Sequence, residues 1–321
     1  MVDGYNAQTE VQPMRPSQTA GLTTFFRACA YKERDERLRG PDHLARVFHV
    51  GWPRLLLATS RITLPMTRRL LPGVYEYLFA RTEFFDELFE RALEESCPQI
   101  VLLGAGCDSR AYRFESLVKD TTIYELDHPA TQQVKRELLS RGGIAVPEYV
   151  RFVAADLNSG LLSEALASHG FHRDRRTLFL MEGVIYYLSA EGVDSLLQSV
   201  RECSSPGSGL AFDYIVESMV RGTCDRYGAR QVASRVASAG ETFRFGIDDH
   251  KIESFLEDRG FQLTRHLTPQ DLEATYLARA GAPTRGRIAG FYSIAEAVTC
   301  RPRSALRWAR QHQGGLVGDG S

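Results

Sequence analysis

No stretch of this 321-residue sequence approaches the roughly 18 consecutive apolar residues that a membrane-spanning helix requires, so a helical span is excluded. The opening MVDGYNAQTE lacks a basic segment followed by an apolar one, and no secretory signal is visible. There is no C-x-x-C pair: Cys29, Cys97, Cys107, Cys203, Cys224 and Cys300 are scattered, unlike a disulfide framework or a zinc site. A reduced, cytoplasmic setting follows. The formal net charge is only −1, so no overall field favours nucleic acid or an anionic membrane, and neither is expected as a partner. The G-x-x-x-x-G-K-[ST] phosphate loop is also missing, which argues against ATP or GTP.

The residues present are those of an ordinary globular chain, 43% hydrophobic and 25% charged. Residues 1–20 and 312–321 read as mobile tails around a single domain over 21–311. From 21 to 95 the pattern is helical. FFRACAYKERDERLRG is expected to run as a helix until Gly40-Pro41. YLFARTEFFDELFERALEE places Leu78, Phe79, Phe84, Phe85, Leu88 and Phe89 on one broad helical face. RLLLATSRITLPMTRRLLPG is apolar and basic, and is read as a packed lid or cap helix rather than a membrane-surface helix.

The core spans 99–215. Here IVLLG, TTIYELD, VRFVAADL, TLFLMEG and GLAFDYI alternate with helical patterns, each run carrying Gly, Asp or Glu near its end. One such helix follows Asp127, with Val134, Leu138 and Leu139 on a face closed by Gly142; another, capped by Ser189, carries Val193, Leu196, Leu197 and Val200. Repeated βαβ units predict an α/β fold with a mostly parallel sheet covered on both faces. FQLTRHL and GFYSIAEAV read as two further strands, an antiparallel edge pair. The irregular, Arg-rich stretch 216–250 is a candidate substrate lid, and its Arg221, Arg226, Arg230 and Arg235 are either anion readers or solvated charges.

In an open parallel sheet ligands bind outside the carboxyl ends of the strands. The first tip is Gly104-Ala105-Gly106, where glycines allow close backbone approach. The second is Glu125-Leu126-Asp127, an acid placed to accept from two ribose hydroxyls. A dinucleotide fingerprint needs a third glycine, but Ser109 stands there, and Asp108 puts negative charge where a pyrophosphate would sit. A nucleoside without phosphates fits better. Asp156 can accept from an adenine amine while Leu157 packs on the ring, and Glu182 follows the fourth strand, ahead of Tyr186. Each acid alone reads equally well as a helix cap.

VLLGAGCDSRAYRF, YELDHP, AADL and MEGVIYYLSAEGVDSLL, taken in order, resemble the leucine carboxyl methyltransferase family, over roughly residues 20–300. The resemblance implies a class I methyltransferase (Rossmann-like) sheet with N-terminal helical additions and a cap region, and S-adenosyl-L-methionine as cofactor. It implies Gly104 and Gly106 along the methionine part, Asp127 on the ribose with Glu125 as second choice, Asp156 and Leu157 on the adenine, and Glu182 near the cofactor amino group. Arg81 and Arg27 match positions that pair with the cofactor carboxylate.

The implied activity is O-methylation, with a small natural product or peptide C-terminus as acceptor. A carboxylate is ionised at neutral pH and needs no base, whereas a phenol or other hydroxyl does. His128 reads as a cofactor or solvent contact and His250 as a weak base candidate, which tilts the reading towards carboxyl methylation. Tyr186 is either a substrate-orienting hydroxyl or core packing. The alternatives are hydroxyl methylation of polyketide type, a nicotinamide-dependent oxidoreductase, and a catalytically silent cofactor-binding protein.

Overall fold

The computed structural model describes residues 18–34, 39–49, 57–158, 160–238, 240, 242–278 and 286–300. Seven strands form one sheet: β1 (Gln99–Leu103), β2 (Thr122–Asp127), β3 (Val150–Ala154), β4 (Thr177–Met181), β5 (Gly209–Ile215), β6 (Phe261–Leu267) and β7 (Tyr292–Thr299). Their order is β3-β2-β1-β4-β5-β7-β6. The first five pair in parallel, and β7 runs antiparallel to both β5 and β6. Chain order reverses between β1 and β4, and the crevice above that reversal is where this topology binds ligands. All five residues of β1 are buried, as expected of a central parallel strand covered on both faces, whereas edge strand β3 is partly exposed.

Helices α1 (Gln18–Tyr31), α2 (Ser60–Leu70) and α3 (Val74–Glu94) precede the sheet. Along α3 all six predicted apolar residues are buried, and roughly 1.5–3 kcal/mol per large side chain makes this helix a main support of the core. The helix also buries Arg81 and Asp86, which aim at the strand tips. Between strands lie α4 (Arg110–Arg113), α5 (Pro129–Arg141), α6 (Leu162–Ala167) and α7 (Ala190–Glu202). Ser189 caps α7 as expected, accepting from the Gly192 amide at 3.1 Å, and Val193, Leu196, Leu197 and Val200 are buried. After β5 come α8 (Glu217–Val220) and α9 (Ala229–Ser238), within the stretch read as a lid, then α10 (Ile252–Glu257) and α11 (Pro269–Leu272).

Several boundaries differ from the sequence reading. Residues 18–20 open α1 instead of belonging to a tail; 1–17 and 301–321 lie outside the described residues. The first helix ends at Tyr31, not Gly40, because the chain returns: the Gly40 amide bonds to the Ala30 carbonyl at 3.0 Å, and a Cβ at Gly40 would sit 2.8 Å from Ala30 Cβ. Helix α2 is packed only in part: none of its residues is fully buried, Leu64 touches the core, and Ile62, Met66 and Leu70 are exposed. Val134 faces outward on α5, where Gln132 and Lys135 are buried instead. The late antiparallel pair forms, but β7 lies inside the sheet between β5 and β6.

Candidate functional site

The glycine turn after β1 is shaped by its neighbours. Gly104 has φ +71°, and a Cβ there would lie 2.5 Å from Val184 Cγ2, so only glycine fits. The Gly106 amide donates to Asp127 Oδ2 at 2.6 Å and the His128 amide to Oδ1 at 2.7 Å. Two backbone donors thus fix the Asp127 carboxylate at the tip of β2, half-buried and with acceptor capacity left over. Asp156 is exposed beyond β3, accepts from the Asn158 amide at 2.9 Å, and is followed by half-buried Leu157. Leu157 Cδ1 lies 3.6 Å from the position of a Gly104 Cβ, which places it over the same turn.

On the other side of the turn stands a lattice of buried charge. Arg81 Nε is 3.0 Å from Glu182 Oε1, and its Nη1 donates to Asp213 Oδ2 at 2.8 Å. Asp213, fully buried on β5, also accepts from the Tyr77 hydroxyl at 2.7 Å and the Gly183 amide at 2.6 Å. Arg110 Nη1 lies 2.7 Å from Glu182 Oε2, and Arg110 further bonds Asp108 and Asp86. Arg113 forks onto Asp86 at 2.6 and 2.7 Å. Arg27 donates to Asp42 from Nε at 2.8 Å and to the Cys107 carbonyl at 2.9 Å. Asp42 in turn accepts from Ser109 Oγ at 2.8 Å.

These pairs set the ionisation of the site. Burial by itself would raise the Glu182 carboxyl, but Arg110, Arg81 and Arg27 bring it down to about 2. Asp42 follows the same logic, with Arg27, Arg113 and the Ser109 hydroxyl outweighing burial to leave it at about 2. Tyr186 is buried, its hydroxyl 3.3 Å from Arg81 Nη1 and 3.4 Å from Asp213 Oδ2; burial and then the Asp213 charge push the phenol well above its usual value.

Gly104, Gly106, Asp127, Asp156, Leu157 and Glu182 therefore all gather at the carboxyl edge of β1, β2, β3 and β4. Glu125 does not. It is fully buried, with Oε2 2.7 Å from Lys135 Nζ, because an acid two residues before the strand end still lies beneath α5. The two arginines are not waiting with open guanidinium forks: Arg81 is shared by Glu182 and Asp213, and Arg27 is bound to Asp42. His250 is exposed on a short 3₁₀ turn, and His128 caps α5, accepting from the Ala130 amide at 3.3 Å. In the lid stretch Arg221 pairs with Glu217 and Arg226 with Asp249, while Arg230 and Arg235 are exposed. Sequence reasoning missed Asp42, Asp86, Arg110, Arg113 and Asp213. The signal for Asp213 was available, an acid inside the apolar run LAFDYI. That for Asp86, an acid following Phe84 and Phe85 in a largely apolar helix, was weaker.

Residues 20–201 match the sequence profile of the leucine carboxyl methyltransferase family. The chain belongs to this family. YktD of Bacillus subtilis (strain 168), provisionally named an S-adenosyl-L-methionine-dependent methyltransferase, is 30% identical over 201 residues, 62% of this chain and 65% of that protein. A Mycobacteroides abscessus protein (strain ATCC 19977), also so named, is 32% identical over 234 residues, 68% of this chain and 70% of the other. Among solved structures, a provisionally named methyltransferase from Thermobifida fusca YX superposes with a TM-score of 0.56 at 15% identity, covering 89% of this chain and 99% of that one. That likeness concerns the fold, the class I methyltransferase arrangement expected for this family. Among the described residues no helix is long and apolar enough to cross a membrane.

Proposed function

We propose that the protein is an S-adenosyl-L-methionine-dependent O-methyltransferase acting on a carboxylate, of a small natural product or a peptide C-terminus. The donor fits the residues present. Gly104 leaves room where any side chain would collide, Asp127 is held by two amides with lone pairs to spare, and Glu182 is kept anionic at the turn. Asp127 would hold the ribose, Asp156 and Leu157 the adenine edge and face, and Glu182 the ammonium group. Arg27 would reach the donor carboxylate only by giving up Asp42, to which it is bound, while Arg81 acts through Glu182. When bound, the donor would supply an activated methyl on a sulfonium.

What this chain contributes is alignment and exclusion of water, worth up to about 7–11 kcal/mol in well-oriented systems. The observation that favours a carboxylate is the state of the acids and phenols beside Glu182. Asp213 already accepts from Tyr77, Arg81 and Gly183, and the Tyr186 hydroxyl is turned to that same buried pair. None of these is placed to take a proton from a hydroxyl, and an acceptor already ionised asks for none. Tyr186 therefore serves as packing around Asp213, not as a substrate-orienting group.

The test has two stages. Calorimetric titration with S-adenosylhomocysteine, S-adenosylmethionine and NAD is expected to show binding of the two sulfur compounds alone. A mass-spectrometric screen of carboxylic acids, phenols and peptide C-termini is then expected to show a one-methyl gain on the acids. Gain on phenols alone would replace carboxyl by hydroxyl methylation, and binding of neither sulfur compound would end the methyltransferase reading.

A further inference from the structure

Glu182 stands just past the end of β4, ahead of Gly183 with φ +75°. Its orientation comes from outside. Arg81 Nε holds one carboxylate oxygen at 3.0 Å and Arg110 Nη1 the other at 2.7 Å. Arg81 belongs to α3 and Arg110 to α4, so the carboxylate is gripped from two separate elements. We infer that Arg110 is a positioning residue for donor binding, which holds Glu182 in the direction that receives the donor's ammonium group, and that Asp86 anchors it. This rests on the proposed donor.

Three features single out Arg110. Its side chain is 3% exposed, and its bonds run to acids, Nε to Asp86 at 2.8 Å and Nη1 to both Asp108 at 2.6 Å and Glu182, so it orders the site without reaching the ligand. Its own amide donates to Asp108 Oδ1 at 2.8 Å, which locks the side chain to the turn carrying Gly104 and Gly106. The Phe85 ring lies 5.6 Å from its guanidinium carbon, beside Asp86 on the same helix. A planar fork with several donors is needed to reach three carboxylates at once, and an ammonium group cannot span them. The arginines leave acceptor positions on Glu182 free for an incoming cation.

Glu182 faces Arg27 from α1, Arg81 from α3 and Arg110 from α4, with Asp108, Asp213 and Asp42 at the far sides of those arginines. Removing Arg110 takes away the nearest of the three cations and frees one oxygen. The carboxyl then protonates at higher pH, and donor affinity falls on the acid side sooner.

The experiment is calorimetric titration of S-adenosylhomocysteine between about pH 4 and pH 8 into the wild-type protein and the Arg110→Met, Arg110→Lys, Asp86→Asn and Glu182→Gln variants, with thermal melts of each. Arg110→Met is expected to weaken binding between about tenfold and a hundredfold. It should also bring an acid limb of binding, absent from the wild type above pH 4, up into the measured range. Arg110→Lys should return that limb part of the way but restore little of the affinity. Adding Arg110→Met to Glu182→Gln should cost far less than in the wild type. A folded Arg110→Met protein that binds within twofold of wild type with an unmoved acid limb overturns the inference, as does strict additivity with Glu182→Gln. If Arg110→Met does not fold, Asp86→Asn decides: an unchanged affinity and acid limb overturns the inference, and a several-fold loss with a raised limb supports it. A wild-type protein that binds no S-adenosylhomocysteine instead overturns the donor reading on which this inference rests.

Discussion

The two flanks of the glycine turn are built differently. Towards β4 and β5, four arginines and five carboxylates interlock with side chains almost wholly removed from water. Towards β2 and β3, Asp127 and Asp156 are single acids steadied by backbone amides and open to solvent. Buried ion pairs add little net stability over apolar packing but punish the loss of one partner heavily. The first flank therefore couples ligand binding to folding, while the second can be altered with the fold left intact.

Breaking the buried flank should give the largest effect. Asp213→Ala strands the Arg81 charge, the Tyr77 hydroxyl and the Gly183 amide, and is expected to cost about 3–5 kcal/mol, read as a lower denaturation midpoint. On the open flank, Asp127→Ala should weaken S-adenosylhomocysteine binding roughly tenfold to a hundredfold by calorimetry while leaving the melting temperature almost unchanged. A melting loss as large as that of Asp213→Ala would erase the contrast between the flanks.

Acid sharpens the same comparison. Asp42 and Glu182 are held at about 2 in the folded protein, below their usual 3.8 and 4.5. Their contribution to stability is complete above those usual values and is lost as pH falls from about 4.5 towards 2. Thermal melts of the wild type should hold level from pH 7 to about pH 4.5 and fall below it. The Asp42→Asn protein should start lower and lose less below that pH. The smallest effect is expected far from both flanks: Arg235→Ala, on the exposed face of α9, should leave donor affinity within twofold.

Much of this was legible in the sequence. The five parallel strands announce themselves as apolar runs because both faces of the sheet are covered. The acids Asp127, Asp156 and Glu182 stand at strand ends, where period and position suffice to place them. The buried lattice was not legible, because Arg27, Arg81, Arg110 and Arg113 and their acids meet only through tertiary contacts between α1, α3, α4 and the tips of β4 and β5. Read singly, Arg27 and Arg81 look like open ligand contacts, and Asp86 like a polar residue on an amphipathic helix. Glu125 was misplaced for a local reason: two residues along a strand is one step deeper under the covering helix, where Lys135 waits. The end of α1 escaped notice since Gly40 stops that helix by folding back onto Ala30, not by terminating it in line.

The place of β7 carries a consequence for the order in which the chain assembles. β5 has its second neighbour only when Tyr292–Thr299 has slid in beside it, and β6, made earlier, can join the sheet only through that same strand. At synthesis rates of about 5–20 residues per second, several seconds separate the emergence of β5 from that of its partner. During that interval the edge of β5 is an open template for other chains. Completion of the sheet thus waits for nearly the last described residues, and a nascent chain halted before Tyr292 leaves the edge of β5 unpaired.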